Sequence, residues 1–332
     1  MAYSTTTTAP LDDGTGLKRG ISMITSPGCR AALLTALFLT QPLLSTCRIP
    51  DEDISTAAVP TTIQLRPNDI IKSTLPPYGS GGRGRTGSTS STSFNELQLN
   101  LCNSGFAGCY AGGDSIPEGG ELIYATGPNV VTVNEICSND VAELQSYLSE
   151  AWPTDYTYSA FMPAIDKRTA APYKCKDGFQ YGSAVLGRVA ASKWTTFDAY
   201  GGKFIAQDSS NEERIFVCAY ARGDHFTCTT HLSSSSEPLA LSQCKALMFD
   251  AVPYLKGVAG AAGKTVVGGD FNLEYDTSDA ENVQKCVPPG WTRKGDGDVQ
   301  HVIYTNDLVF SKSKAWGLSY TDHDGWEVRL TG

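Results

Sequence analysis

Eight of the chain's ten cysteines, Cys102, Cys109, Cys137, Cys175, Cys218, Cys228, Cys244 and Cys286, fall beyond residue 93, and none belongs to a C-x-x-C pair of the kind that holds zinc. An even set of this density suits four disulfides formed in an oxidising compartment. Spacing alone leaves the connectivity open, but local geometry suggests two pairs. Cys218 and Cys228 flank a segment that, as a hairpin turning near Gly223, sets them opposite each other. Cys102 and Cys109 bracket a short Gly-containing loop. Elimination then joins Cys137 to Cys175 and Cys244 to Cys286.

The cysteine-bearing region is preceded by sequence that cannot build a core. Residues 1–22 are polar and Thr-rich, and an apolar run from Ala31 to Leu44, flanked by Arg30 and broken by Gln41-Pro42, reads as a secretory signal too short to span a membrane. A single buried helix is the structural alternative, and Cys47 after Leu44-Ser-Thr offers a minor route to a lipid anchor. Residues 48–93 are rich in Pro, Ser, Thr and Gly; they bury too little apolar surface to offset their ordering entropy and are expected to be a disordered linker. The expected organisation is therefore 1–47 extension and signal, 48–93 linker and 94–332 folded domain. The formal net charge of −9 excludes passive electrostatic attraction to nucleic acid or anionic membrane. A polyanionic substrate needs a local basic patch or bound cations.

Within 94–332 strand signals dominate. Glu96-Leu-Gln-Leu-Asn-Leu-Cys102 alternates apolar and polar, and Val130–Ile136, Tyr181–Leu186, Arg214–Tyr220, Phe226–His231, Val302–Tyr304, Leu308–Phe310 and Trp326–Leu330 read likewise. Helices are expected over 138–148, begun by Asp140 and Glu143, and over 238–255. The pattern predicts one α/β domain: two packed, mainly antiparallel sheets flanked by helices in four layers.

Thr265-Val-Val-Gly-Gly-Asp-Phe-Asn272 is the stretch with most chemistry. Residues two apart on a strand share a side, so Asp270 and Asn272 are expected to leave the strand end together, and the glycines admit close approach to the backbone. Asn100, Glu135 and His231 stand at other strand ends, and Asp322-His323 precedes the last strand. His225 and His301 carry no motif and read as ordinary strand residues. Taken in order, Leu99-Asn100-Leu101, Asn134-Glu135-Ile136, Thr230-His231, Gly269-Asp270-Phe271-Asn272 and Asp322-His323 resemble the endonuclease/exonuclease/phosphatase superfamily, which includes deoxyribonuclease I-like enzymes.

The resemblance implies a Mg²⁺-dependent phosphoric ester hydrolase, with Mn²⁺ or Ca²⁺ as substitutes or auxiliaries. Glu135 would bind the metal with Asn100 beside it, Asp270 and Asn272 would position water and phosphate, His231 would donate to the developing charge, and His323 would be the general base. Asp322 would be a metal-side or phosphate-side carboxyl. The family's acid that orients the basic histidine is missing from its usual register; Asp307 is the first choice for that role and Asp298 the fallback. A secreted monomer that nicks DNA is the leading expectation, with Lys167, Arg168, Lys174, Lys176 and Arg188 as rim cations. The alternatives are a phospholipase C-like sphingomyelinase, a small-phosphoester phosphatase, and a non-catalytic binding or toxin-like module on the same fold.

Overall fold

The β-branched and aromatic runs pair into two seven-stranded sheets in the computed structural model, which describes residues 58–78 and 93–332. Across its width the first sheet reads Ile63–Leu65 (β1), Phe197–Phe204 (β9), Ile215–Ala221 (β11), His225–His231 (β12), Thr265–Asp270 (β13), Gln300–Thr305 (β15) and Trp291–Gly295 (β14). The second reads Val309–Trp316 (β16), Gly325–Thr331 (β17), Ser93–Asn100 (β3), Val130–Cys137 (β4), Tyr181–Ala190 (β8), Asp155–Pro163 (β5) and Ile71–Leu75 (β2). Glu212–Glu213 (β10), Ile165–Asp166 (β6) and Ala171–Pro172 (β7) form a small third sheet.

Within the two large sheets, pairing is antiparallel except at β3–β4 and β12–β13. A parallel pair needs a crossover that returns the chain to its starting end, and both crossovers here are helical. Ser115–Thr126 (α1) lies between β3 and β4. Between β12 and β13 run Glu237–Lys245 (α3), a π-helical segment Ala246–Ala251 and Val252–Ala259 (α4), the last with Pro253 near its start. Asp140–Ala151 (α2) follows β4. The carboxyl ends of β3, β4, β12 and β13 consequently meet at one edge of the molecule.

Hydrophobic burial orders the layers. Leu97, Leu99, Val131 and Val133 pack on Ile123, Leu144 and Leu148 of α1 and α2. Phe216, Phe226, Val267 and Ile303 pack on Leu241, Leu247, Met248 and Leu255. Between the sheets lie Tyr158, Met162, Val185 and Val217 at one side and Phe94, Val266, Val302 and Val328 at the other. The result is the expected helix–sheet–sheet–helix sandwich.

The four disulfides join Cys102 to Cys109, Cys137 to Cys175, Cys218 to Cys228 and Cys244 to Cys286. Cys218 stands opposite Cys228 in the β11–β12 ladder.

The expected linker requires correction. Residues 58–78 carry β1 and β2, which pair antiparallel with β9 and β5, one on each sheet, with Ile63 buried opposite Phe204. A few apolar side chains, backed by open sheet edges that accept main-chain hydrogen bonds, order a segment whose average composition is too polar to do so alone. The signal-like segment, Cys47, and residues 48–57 and 79–92 of the linker lie outside the described residues. Among the described residues no helix is long and apolar enough to cross a membrane.

Candidate active site

Asp270 closes β13 and is almost wholly buried. Its backbone N–H donates to Asn134 Oδ1 at 2.9 Å, which fixes the strand end across the gap between the sheets. Asn100, at the end of β3, donates through Nδ2 to Asp270 Oδ2 at 2.9 Å and to Glu135 Oε1 at 3.0 Å. One amide nitrogen thus holds two carboxylates side by side.

Asn134 and Glu135 are adjacent, so an ideal strand would point them to opposite faces. The β4–β8 register instead shifts between Val133 and Ile136, and Glu135 has φ 57°. A bulge with a left-handed residue re-aims the side chain. Asn134 therefore enters the gap between the sheets while Glu135 reaches the site.

Asn272 also departs from the extended geometry expected of it. At φ 49° it folds back, its N–H donating to Asp270 Oδ1 at 3.0 Å and its Nδ2 to Leu232 O at 3.0 Å. This is an Asx-type turn in which Asp270 uses one oxygen to shape the loop and the other to face Asn100. Asp270 and Asn272 still line the same cleft.

Two histidines complete the floor. His231 Nε2 lies 3.8 Å from Asp270 Oδ2 and 3.9 Å from Glu135 Oε1, and His323 Nε2 lies 3.6 Å from Asp270 Oδ2 and 3.8 Å from Asp322 Oδ1. Burial, followed by the nearby Arg214 and His323 side chains, holds the His231 imidazole well below its ordinary range. Burial raises both carboxyls. For Glu135 the Asn100 hydrogen bond opposes this, while Glu212 and Asp270 add to it; for Asp270, His323 and then Asn100 oppose it.

The cleft above this floor has a volume of about 470 Å³. Glu212 and Arg214 form one wall, where Arg214 Nη1 donates to Glu212 Oε1 at 3.0 Å, Nη2 approaches Ser234 Oγ at 3.4 Å, and the buried Nε has no partner. Phe106 comes from the loop closed by Cys102–Cys109, and Tyr173 precedes Cys175 of the second disulfide. Glu212 and Arg214 carry no motif, because their chemistry arises only when β10 and the residue before β11 are brought beside the site.

The donor set fits a hard divalent cation. Glu135 and Asp270, with Glu212 close by, set carboxyl oxygens side by side where one amide donor serves both. Asp322 lines the same cleft on the His323 side.

Asp307 is not brought to the site. Because β15 runs antiparallel to β13, Gln300 stands opposite Asp270, whereas the residues after Thr305 lie beyond the far end of the sheet. There Asp307 acts on Lys256 and approaches Gly263. Asp298 sits in the turn before β15 with its N–H on Asp296 Oδ1, and among the described residues the ion-pair partners of His323 are Asp270 and Asp322. The expected orienting position holds Gln300, whose Nε2 donates to Asp324 O at 2.6 Å, next to His323. A search for an acid passes over this residue, although it heads the strand in which the acid was sought.

The expected rim cations are largely engaged. Arg188 is partly buried, paired with Asp155 at 2.6 Å and stacked on the Trp152 ring at 3.6 Å. Arg168 is tied to Asp166 at 2.8 Å, and Lys167 donates to Asp208 O at 2.5 Å. His225 is buried between Asp224 and Tyr158, and His301 accepts from Arg293 and reaches Leu273 O, with burial pushing it down to about 3.

No family model and no curated protein matches the chain. Solved structures do. ANGEL2, described as a 2′,3′-cyclic phosphatase and solved in complex with adenosine-2′,3′-vanadate, superposes with a TM-score of 0.50 at 10% identity, covering 72% of this chain and 96% of that one. An endonuclease/exonuclease/phosphatase family protein from Bacteroides thetaiotaomicron gives 0.49 at 13% identity, covering 72% and 98%. Truncated TDP2 from Caenorhabditis elegans gives 0.46 at 16% identity, covering 72% and 98%.

Proposed function

We propose that this chain, which has the endonuclease/exonuclease/phosphatase fold, is an exported, Mg²⁺-dependent phosphoester hydrolase that cleaves phosphodiester bonds, with DNA as its leading substrate. The observation that carries the reading is the pair of carboxylates, Glu135 and Asp270, bridged by Asn100 Nδ2 with His231 and His323 both within 4 Å of Asp270 Oδ2. Four disulfides support export.

Glu135, with Asn100 beside it and Asp322 on the other side, would hold the cation, which when bound supplies Lewis-acid polarisation of a phosphoryl oxygen. His323 takes the proton of the attacking water, and Asp270, 3.6 Å from its Nε2, stabilises the imidazolium so formed. Asn272 and Asp270 orient that water and the phosphate. Neutral His231 donates its N–H to charge building on a non-bridging oxygen. Arg214, with Nε unpaired, offers the wall of the cleft a fixed positive charge for the phosphate.

A second reading, hydrolysis of a small phosphoester, is favoured by the cleft volume of about 470 Å³ and by the ion pair that ties Arg188 to Asp155. The discriminating experiment uses the full chain with disulfides intact, supercoiled plasmid, Mg²⁺ or EDTA, and a His323→Ala control. Metal-dependent nicking that disappears in the variant supports the nuclease. Release of phosphate from small esters, or of phosphocholine from sphingomyelin, without nicking transfers the function to the corresponding alternative. Inactivity on every substrate overturns the hydrolase reading in favour of a binding module.

A further inference from the structure

Between the two sheets, behind the cleft, a line of polar side chains connects Glu96 to Asp270. Glu96 is fully buried on β3, and its Oε1 lies 2.6 Å from Thr132 Oγ1. Thr132 Oγ1 also lies 2.5 Å from Gln98 Oε1. Gln98 Nε2 donates to Asn134 Oδ1 at 2.8 Å and to Leu99 O at 3.1 Å. Asn134 Oδ1 accepts the Asp270 N–H, and its Nδ2 donates to Thr230 O at 3.0 Å, one residue before His231.

Hydrogen accounting along this line has one solution. The Asp270 N–H can only donate, so it fixes which end of the Asn134 amide is oxygen. That oxygen requires the Gln98 NH₂ group to face it, which turns Gln98 Oε1 towards Thr132. Two short oxygen–oxygen contacts then converge on one threonine hydroxyl that carries a single hydrogen. Gln98 Oε1 has no proton to give, so Thr132 donates to it and the second proton comes from the carboxyl of Glu96.

We infer that Glu96 is a neutral carboxylic acid and a positioning residue for Asp270: its proton anchors the directional chain Glu96→Thr132→Gln98→Asn134, which holds the Asp270 backbone and the end of β12. Three features agree. Burial, opposed only by the Thr132 hydrogen bond, raises the Glu96 carboxyl to about 8. Its Oε2 is buried with no partner, which a neutral carbonyl oxygen tolerates far better than a carboxylate does. Gly268 of β13 leaves the space the acid occupies, since a Cβ there would collide with Glu96 Oε1 and Thr132 Oγ1. Around Glu96 lie Gln98 and Thr132, its ladder partners Val130 and Val328, and Gly268 across the gap, none of them titratable, while Tyr304 of β15 is a titratable side chain in the same inter-sheet cluster. When Glu96 ionises, two acceptors compete for the one Thr132 hydrogen, and Gln98 loses its hold.

The stability consequence has a definite sign. A carboxyl whose folded value lies above its unfolded value keeps its proton in the folded state alone, so stability falls as pH rises from the ordinary carboxylate range to about 8 and is flat beyond. Glu96→Gln keeps a neutral donor and removes the titration. The test compares the full-length protein with this variant. A carbonyl-stretch band of a protonated carboxylic acid, present near pH 7 in the infrared spectrum, is expected to be absent from Glu96→Gln. The ratio of the two proteins' unfolding constants should change about tenfold per pH unit between pH 5 and 8. An unchanged band, or a ratio that does not vary with pH, overturns the inference, and neither readout requires turnover. The positioning role rests on the hydrolase reading; there, kcat should lose its alkaline limb near pH 8 in Glu96→Gln with KM unchanged, and an alkaline limb that persists in the variant refutes that role.

Discussion

Gly268→Ala tests the packing behind the site most sharply. The new methyl enters a space bounded by Glu96 Oε1 and Thr132 Oγ1, both of which must retreat by more than an ångström to reach ordinary contact. Both are fully buried between the sheets, so neither can swing out into solvent. Overpacking of this kind costs about 1–3 kcal/mol. Breaking the Glu96–Thr132–Gln98 chain leaves buried polar atoms unpaired at about 1–3 kcal/mol more, so a loss of about 4 kcal/mol is expected. With a urea m-value of about 3 kcal/mol/M, the unfolding midpoint falls by more than about 1 M. The diagnostic comparison is Gly268→Ala in a Glu96→Ala background. Removing the carboxyl group opens the space, so the alanine there should cost at least about 1.5 kcal/mol less than in the native chain. Equal costs in the two backgrounds would show that the methyl meets something other than Glu96 and would refute the reasoning.

Three further outcomes follow from the site. His323→Ala should reduce kcat by about 10²–10⁴, the range for removing a general base, with the circular dichroism spectrum unchanged. Asp307→Asn should leave kcat unaltered while Gln300→Ala slows turnover at least about tenfold, since Gln300 holds the backbone beside His323; steady-state kinetics on any accepted phosphoester distinguishes them. In EDTA, Glu135 and Asp270 contribute stability that is greatest below the ordinary carboxylate range and declines as pH rises through their raised folded values. Mg²⁺ should therefore raise the thermal midpoint more at pH 7 than at pH 5, and an equal rise at both would count against Glu135 as its ligand.

Much of this arrangement is legible in the sequence because strand ends announce themselves. Asn100, His231 and Asp270 each close a strand-like run and Glu135 stands near the end of another, and parallel pairing brings such ends together. What local pattern cannot express is where the chain departs from its own periodicity. The bulge at Asn134-Glu135 places neighbouring side chains in two different tasks, and no alternation rule foresees it. Helix α1 escapes notice because Gly119 and Gly120 argue against helix, yet a side chain at Gly120 would strike the Tyr147 ring of α2, so the glycine serves close helix packing. Arg188 reads as a surface cation by composition alone; its partners, Asp155 and Trp152, lie more than thirty positions earlier in the chain. Likewise Asp307 looks eligible only until strand direction is known.

Strands β1 and β2 set a practical limit on how the protein can be shortened. They are the outer members of their sheets, covering the main-chain edges of β9 and β5. A fragment starting at Phe94, where the globular composition begins, would leave Phe197–Phe204 and Asp155–Pro163 each with a row of unsatisfied amides and carbonyls on one side. Two bare templates of that kind on one molecule can recruit strands from two other copies, and such a fragment would polymerise where the longer chain stays dispersed.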